Sequence, residues 1–277
     1  MPTLKPIKNI EKLRHLSKAD VHIHSLHSDG RPTIKEILDY VEEKTDLNVI
    51  AITDHDTMDG AFEAEKLMRK KKYRFELILG EEVSSKEGHI LSLFLKEPIK
   101  PGMSARETIE EVHRQGGVAI AAHPFEHLRY QLSDGLTMDG VGLKTLLKEK
   151  ASWNGIEIVN ATPTLRDENL WAAFVNRTMI HKAETGSSDA HIVEAIGKGY
   201  TLFEGKTAAD FRHALAHHQT QAMNARWNLY AFTRYAFFFF PVWLRLLFFT
   251  LVHGRPKKKV DNVDVPKEFN IEDKNRF

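Results

Sequence analysis

The 277-residue chain contains no cysteine. That excludes disulfide scaffolds, thiol nucleophiles and thiolate-held zinc, and it fits a reducing compartment. An excess of either charge is lacking too, with 39 Lys and Arg against 38 Asp and Glu, so charge alone favours neither a nucleic-acid binder nor an acidic solvating protein. Residues 1–18 carry lysines but no apolar h-region, so no secretory signal is expected. No glycine-rich phosphate loop, serine nucleophile elbow or dinucleotide fingerprint occurs in the right context. What the chain does have is histidine, 15 in all. Without thiolates, any metal it binds is held by imidazole and carboxylate. Its length allows one large α/β domain as readily as two small ones.

The stretch from Asp20 to Gly30 sets the theme. An apolar alternation carries His22 and His24, which therefore share one face of a strand, and Asp29 follows within a turn. This is one wall of a metal site, or a polar strand end whose imidazoles hydrogen-bond to loops. The same grammar then repeats. Val49 to Thr53 is a continuous apolar run, as in a buried parallel strand, and it ends in Asp54, His55 and Asp56. A strand from Phe75 to Gly80 ends in Glu81 and Glu82, and another starts at His89. Val118 to Ala122 ends in His123, Gly155 to Val159 ends in Asn160, and Glu184 to Ser188 leads into Asp189 and His191. Helices are expected over 34–45 (capped by Thr33), 60–72, 104–115, 165–177 and from Thr207. Strands alternating with helices argue for a parallel sheet, open or closed into a barrel. In a barrel the C-terminal strand ends converge on one mouth. The collected donors are His22, His24, Asp29, His55, Glu82, His89, His123, Asp189 and His191. They are too many for one four-coordinate ion and enough for two or three. Such a cluster suits the two-metal logic of phosphate-ester hydrolysis.

In order, His-x-His…Ser-Asp-Gly, Ile-Thr-Asp-His-Asp, Gly-x-Glu-Val-Ser, His-Ile-Leu, Ala-His-Pro and Ser-Ser-Asp-Ala-His resemble the motifs of the PHP (polymerase and histidinol phosphatase) family of metal-dependent phosphoesterases. The resemblance covers residues 19–222 and implies an α/β fold, a distorted (β/α)7 TIM-like barrel with a trinuclear site. By that resemblance one ion is held by His22, His24, Glu82 and Asp189. A second shares Glu82 and adds His89 and His123, and a third takes Asp29, His55 and His191. Glu82 rather than Glu81 follows from the third place of glutamate in the motif Gly80 to Ser84. Some members have histidine where Asp29 stands; an aspartate makes that site harder, so manganese, iron or magnesium fit it as well as zinc. The implied reaction is hydrolysis of a phosphate monoester by a metal-activated hydroxide attacking in line. Arg129 is the candidate contact for the substrate phosphate, against the reading of a surface arginine on a loop. Asp20, Asp54 and Asp56 flank ligands and either orient imidazoles or cap strand ends. The substrate is expected to be a phosphorylated small molecule or lipid, with no stable nucleic-acid partner. The alternatives are a nucleotide phosphatase or oligonucleotide 3′–5′ nuclease and, from another class, a non-catalytic scaffold. His113, His127, His181, His213, His217 and His218 match no motif and read as surface histidines.

After residue 222 the composition changes. From Tyr235 to Val252 the only charged residue is Arg245, and arginines and lysines flank the stretch on both sides. A transmembrane helix, a membrane-interfacial segment and a helix pair packed on the barrel or across a homodimer compete. A central arginine and Pro241 count against spanning, while aromatic residues and cations suit headgroup depth. The expected organisation is therefore a basic arm (1–18), a phosphoesterase domain (19–222), a hydrophobic segment (223–256) and a charged tail (257–277). Peripheral membrane contact is assigned to residues 226–256, and the expected location is the cytoplasm, at the inner face of the membrane where that segment engages it.

Overall fold

The computed structural model describes residues 15–126, 129–131, 135–137 and 139–253. Most of the basic arm and all of the charged tail lie outside them. The chain divides into two compact units, Met1–Phe237 and Phe238–Phe277, and the first holds the sheet.

In that sheet β1 (Ser17–Asp20), β2 (Val49–Ile52) and β3 (Glu76–Ser84) run parallel. β4 (His89–Leu93) is antiparallel both to β3 and to β5 (Val118–Ala121). A separate hairpin follows, β6 (Arg129–Gln131) with β7 (Gly135–Thr137). β8 (Gly155–Asn160) and β9 (Ala183–Ser187) return to the parallel direction. β10 (Gly199–Phe203) and β11 (Gln221–Asn224) add an antiparallel edge beside β1. Beyond β1, the His24 N–H donates to the Ala190 carbonyl at 2.9 Å, and the Ala190 N–H to the His22 carbonyl at 3.2 Å. The Gly186 N–H donates to the Thr201 hydroxyl oxygen at 2.9 Å. These bonds bring β9 against β1 and β10 and close the sheet into a distorted TIM-like barrel.

The antiparallel pairs are the distortion, and they depart from the uniformly parallel sheet that alternating strands and helices argue for. A parallel crossover needs a dozen or more residues, and only four separate β3 from β4. Gly88 turns that hairpin at φ +143°, where a Cβ would meet the backbone of Gly140 and Val141 at 2.6 Å.

Helices α1 (Ile34–Lys44), α2 (Asp59–Met68) and α3 (Ala105–Arg114) follow the expected pattern within a few residues; α4 (Gly142–Lys148) is an additional helix that the periodicity does not single out, and α5 (Arg166–Val175) and α6 (Ala208–Ala216) again match the expectation. Thr33 with Glu36, Ser104 with Glu107 and Thr207 with Asp210 form capping boxes. α5 runs on into a π-helical turn, Asn176–Ile180. The hydrophobic segment is one helix, α7 (Leu229–His253), with Pro241 inside it. Among the described residues no helix is long and apolar enough to cross a membrane.

Strand parity divides the core. Ile78, Leu91, Leu93, Ile120 and Ala122 join one buried cluster with Phe203 and Phe211. Val83, Ile90, Ala119, Ala121, Ile156 and Ile158 pack with helix residues Ile109, Val112 and Leu146 in another. A sheet buried on both faces requires this alternation. Phe211, fully buried and edge-on to Phe203 at 5.3 Å between centroids, is the aromatic pin of α6. Phe211→Ala is expected to lower unfolding free energy by about 3–5 kcal/mol, read by urea denaturation.

Candidate metal centre

Parity also selects between the adjacent glutamates. Glu82 shares the side of Ile78, whereas Glu81 shares that of Val83 and accepts the Ile99 N–H at 2.5 Å. The strand runs past both to Ser84, so Glu82 lies inside the barrel wall and not at a strand terminus. Because β4 runs antiparallel, its N-terminal residue, His89, arrives at the mouth where the other strands bring their C-terminal ends.

All nine donors come together. Glu82 Oε2 lies 3.1 Å from His22 Nε2, 3.3 Å from His24 Nε2 and 3.3 Å from His55 Nδ1. Its other oxygen, Oε1, lies 3.1 Å from His89 Nδ1 and 3.0 Å from His123 Nε2. Asp189 Oδ1 is 3.4 Å from His22 Nε2 and 3.2 Å from His24 Nε2. Asp29 Oδ1 is 3.2 Å from His191 Nε2 and 3.5 Å from His24 Nδ1, and its Oδ2 is 3.7 Å from His55 Nε2. Four groups have donor atoms within 4.8 Å of one another: His24 with Asp29, His55 and His191; His22 with Glu82 and His123; His22 with His24 and Asp189; and His55 with Glu82 and His89. His22, His24, His55 and Glu82 thus each belong to two groups, so sharing extends beyond Glu82 to three imidazoles.

These residues fit divalent ions. Ligands sharing a tetrahedral ion at about 2.0–2.2 Å stand roughly 3.4 Å apart, close to the spacings here. Moreover, buried ring nitrogens normally have hydrogen-bond partners. Neither nitrogen of His24 has hydrogen-bond geometry, although carboxylates stand beside it, and His89 Nδ1 is in the same position. Two candidate ligands, His123 (φ +23°) and Asp189 (φ +50°), also adopt left-handed backbone, a strain that surrounding structure must hold.

Electrostatics point the same way. Burial disfavours a charged His22, but Asp189, Glu82 and Glu157 outweigh it and hold its pKa well above the imidazole range. Burial is also outweighed at His24, raised to about 9 by Asp189 and Glu82, and at His123, raised to about 10 by Glu126 and Glu82. At His55 burial prevails and lowers the pKa to about 3. Burial opposes ionisation of Glu82 and Asp189, yet the facing imidazoles keep both well below the carboxylate range.

A second layer of carboxylates escapes the motif reading. Glu157 Oε1 is 3.1 Å from His22 Nδ1 and accepts from the Ser187 hydroxyl, while Oε2 accepts the His123 N–H at 2.7 Å. Its signal was an acidic residue alternating with Ile156 and Ile158 in an apolar strand. Glu126 Oε2 lies 3.2 Å from His123 Nδ1, and burial raises that carboxyl to about 8. Asp139 Oδ1 stands 4.0 Å from His89 Nε2. The three flanking aspartates hold backbone and hydroxyl groups. Asp20 accepts the N–H groups of Ser188 and Gly197 at 3.0 and 2.8 Å, and Asp56 accepts that of Ser84 at 2.7 Å. Asp54 takes the Ser25 N–H and hydroxyl, both at 2.7 Å, and the Ser28 hydroxyl at 2.6 Å, fixing the loop between His24 and Asp29. Arg129 opens β6, but its side chain lies outside the described residues, as does His127. His113 pairs with Asn154 at 2.8 Å, and His213 stacks on His217, both apart from the cluster.

The fold has counterparts among known proteins. Residues 174–220 match the family described as PHP-associated. An uncharacterised protein of Methanocaldococcus jannaschii is 41% identical over 137 residues, 45% of this chain and 79% of that protein. A two-domain protein of Bacteroides vulgatus, described as containing a predicted PHP-like metal-dependent phosphoesterase, superposes with a TM-score of 0.59 at 20% identity, over 76% of this chain and 65% of that one. PsfC of Pseudomonas syringae superposes with a TM-score of 0.54 at 19% identity, over 84% of this chain and 99% of that one. With a PHP-associated match over 174–220, a relative 41% identical across 79% of its length and a fold shared with a PHP-like protein, the chain belongs to the PHP family.

Proposed function

We propose that the chain is a metal-dependent phosphoesterase that hydrolyses a phosphate monoester at a centre of two to three divalent ions. The observation that carries this reading is Glu82, whose two oxygens face two different sets of imidazoles at 3.0–3.3 Å. That is the placement of a bridging carboxylate. When bound, divalent ions supply Lewis acidity to a water and to phosphoryl oxygens.

The chain's residues do the rest. His22, His24 and Glu82 form the closed floor, with side chains at most 1% exposed. Asp29, at 40%, with His55 and His191 at 15% and 13%, forms the open edge where an ester enters. Glu157 and Glu126 fix imidazole orientation from behind, which keeps the facing nitrogens aimed at the centre. On this reading Arg129 meets the substrate phosphate from the β6–β7 hairpin.

The same reading makes a membrane-associated or lipid-linked phosphate the substrate class, with a nucleotide as the alternative. From Phe211 to Val260 there is no acidic residue, whereas Arg212, Arg226, Arg234, Arg245, Arg255 and the lysines at 257–259 are basic. In the second unit Phe240, Leu244 and Phe248 are exposed at i, i+4 and i+8, one face of a helix. A cationic segment with such a face suits the surface of an anionic bilayer.

Hydrolysis of an aryl phosphate with manganese should fall by about a hundredfold or more in His24→Ala and in Asp189→Ala, together with metal content by mass spectrometry. Wild type and variants equally inactive and metal-free would contradict the enzyme reading. A panel of phosphorylated lipids, nucleotides and amino-alcohol phosphates then identifies the substrate class.

Protons and cations compete for the same lone pairs. Facing carboxylates outweigh burial and raise His24 to about 9 and His123 to about 10, which favours the protonated form of both imidazoles at neutral pH. Manganese uptake must expel those protons, and apparent affinity should tighten as pH rises from about 6 to 9. Calorimetry in two buffers of different ionisation enthalpy measures both quantities; flat affinity with no proton release would refute the competition.

For the bilayer contact, co-sedimentation with phosphatidylserine vesicles is expected to drop at least about threefold in the triple variant Phe240→Asp, Leu244→Asp, Phe248→Asp and to weaken with salt. Equal partitioning of wild type and variant would rule it out.

A further inference from the structure

The opening turns of α7 are tied to the mouth of the barrel. Among residues 229–237 only Ala231 and Tyr235 are buried, one turn apart, while Leu229, Tyr230, Phe232 and Phe237 are exposed. The Tyr235 ring meets Trp227 edge-on, with centroids 5.2 Å apart. Trp227 Nε1–H donates to the Ala161 carbonyl at 3.0 Å, and the Tyr235 and Thr162 hydroxyls are hydrogen-bonded. Arg234 Nε lies 3.3 Å from Glu194 Oε1, just after His191. Two of these three ties grip a single turn, residues 161–162, at the C-terminal end of β8.

That turn begins with Asn160, whose amide works in three directions. Nδ2 donates to Asp189 Oδ2 at 3.1 Å and to Glu157 Oε2 at 3.2 Å, and Oδ1 accepts the Thr162 N–H at 2.9 Å. Asn160 therefore holds the outer oxygen of Asp189 while the inner one faces His22 and His24. A shift of Thr162 is passed through Oδ1 to the amide, and from there to the carboxylate. Burial, with the negative charge of Asp189 next, raises the Tyr235 phenol above its ordinary range and keeps it a neutral hydrogen-bonding group.

We propose that Trp227 and Tyr235 are positioning residues of the metal centre, acting through Thr162 and Asn160 to orient the Asp189 carboxylate. Residues 227–235, which the sequence sets outside the phosphoesterase domain, then support its metal site. This inference rests on the metal-dependent reading above.

The test is a double-mutant cycle on the full chain, read as the manganese dissociation constant by calorimetry. Tyr235→Phe keeps the ring against Trp227 and removes only the hydroxyl; it is expected to weaken manganese binding about three- to tenfold. Trp227→Phe should act in the same direction, and Asn160→Ala should cost about 10- to 100-fold. The double variant Asn160→Ala, Tyr235→Phe should bind no more weakly than Asn160→Ala alone, because the relay is already cut. Tyr230→Phe, exposed on the same helix, should match wild type. Wild-type affinity in Tyr235→Phe, or additive losses in the double variant, would overturn the relay and leave the metal-dependent reading standing. A wild type that takes up no manganese would overturn both.

Discussion

Burying a carboxylate in a protein interior costs several kcal/mol unless opposite charge and hydrogen bonds compensate. Glu82 is 1% exposed, and ring nitrogens of five histidines stand 3.0–3.3 Å from its two oxygens. Everything around it answers that constraint. β3 carries it inward by parity, the β3–β4 hairpin delivers His89 to one oxygen, and the closure of β9 against β1 seats His22 and His24 beneath the other. Cations satisfy such a nest better than shared protons do, since each ion accepts several lone pairs at once and a proton accepts two.

Much of this was legible in the sequence. The order of motifs named all nine donors, and the place of glutamate in Gly80 to Ser84 chose Glu82 over Glu81. Strand parity supplies the physical reason for that choice. The helices were equally plain; Thr33 reads as a cap from the sequence, and the structure adds Ser104 and Thr207, each of which also precedes an acidic residue at the third helical position. The antiparallel course of β4 was less so. It follows from a connection too short for a crossover, and apolar content alone does not reveal direction.

What stayed hidden was the layer behind the ligands. Glu157, Glu126 and Asp139 match no motif and act through other residues. Glu126 stands only three positions after His123, but 135 positions separate Glu157 from His22 and only the fold makes those two neighbours. The end of the barrel was hidden for a related reason. Hydrophobicity separates the segment after 222 from the domain, yet Ala231 and Tyr235 turn inward while their neighbours stay exposed. Composition averages over a helix and does not reveal which two of its residues turn inward.

Crystals grown with manganese and measured at wavelengths on either side of its absorption edge test the central claim most directly. Anomalous peaks are predicted on both sides of Glu82, one against Oε2 with His22, His24 and Asp189, the other against Oε1 with His89 and His123. A map with full occupancy of the protein and no anomalous peak at either oxygen would contradict it.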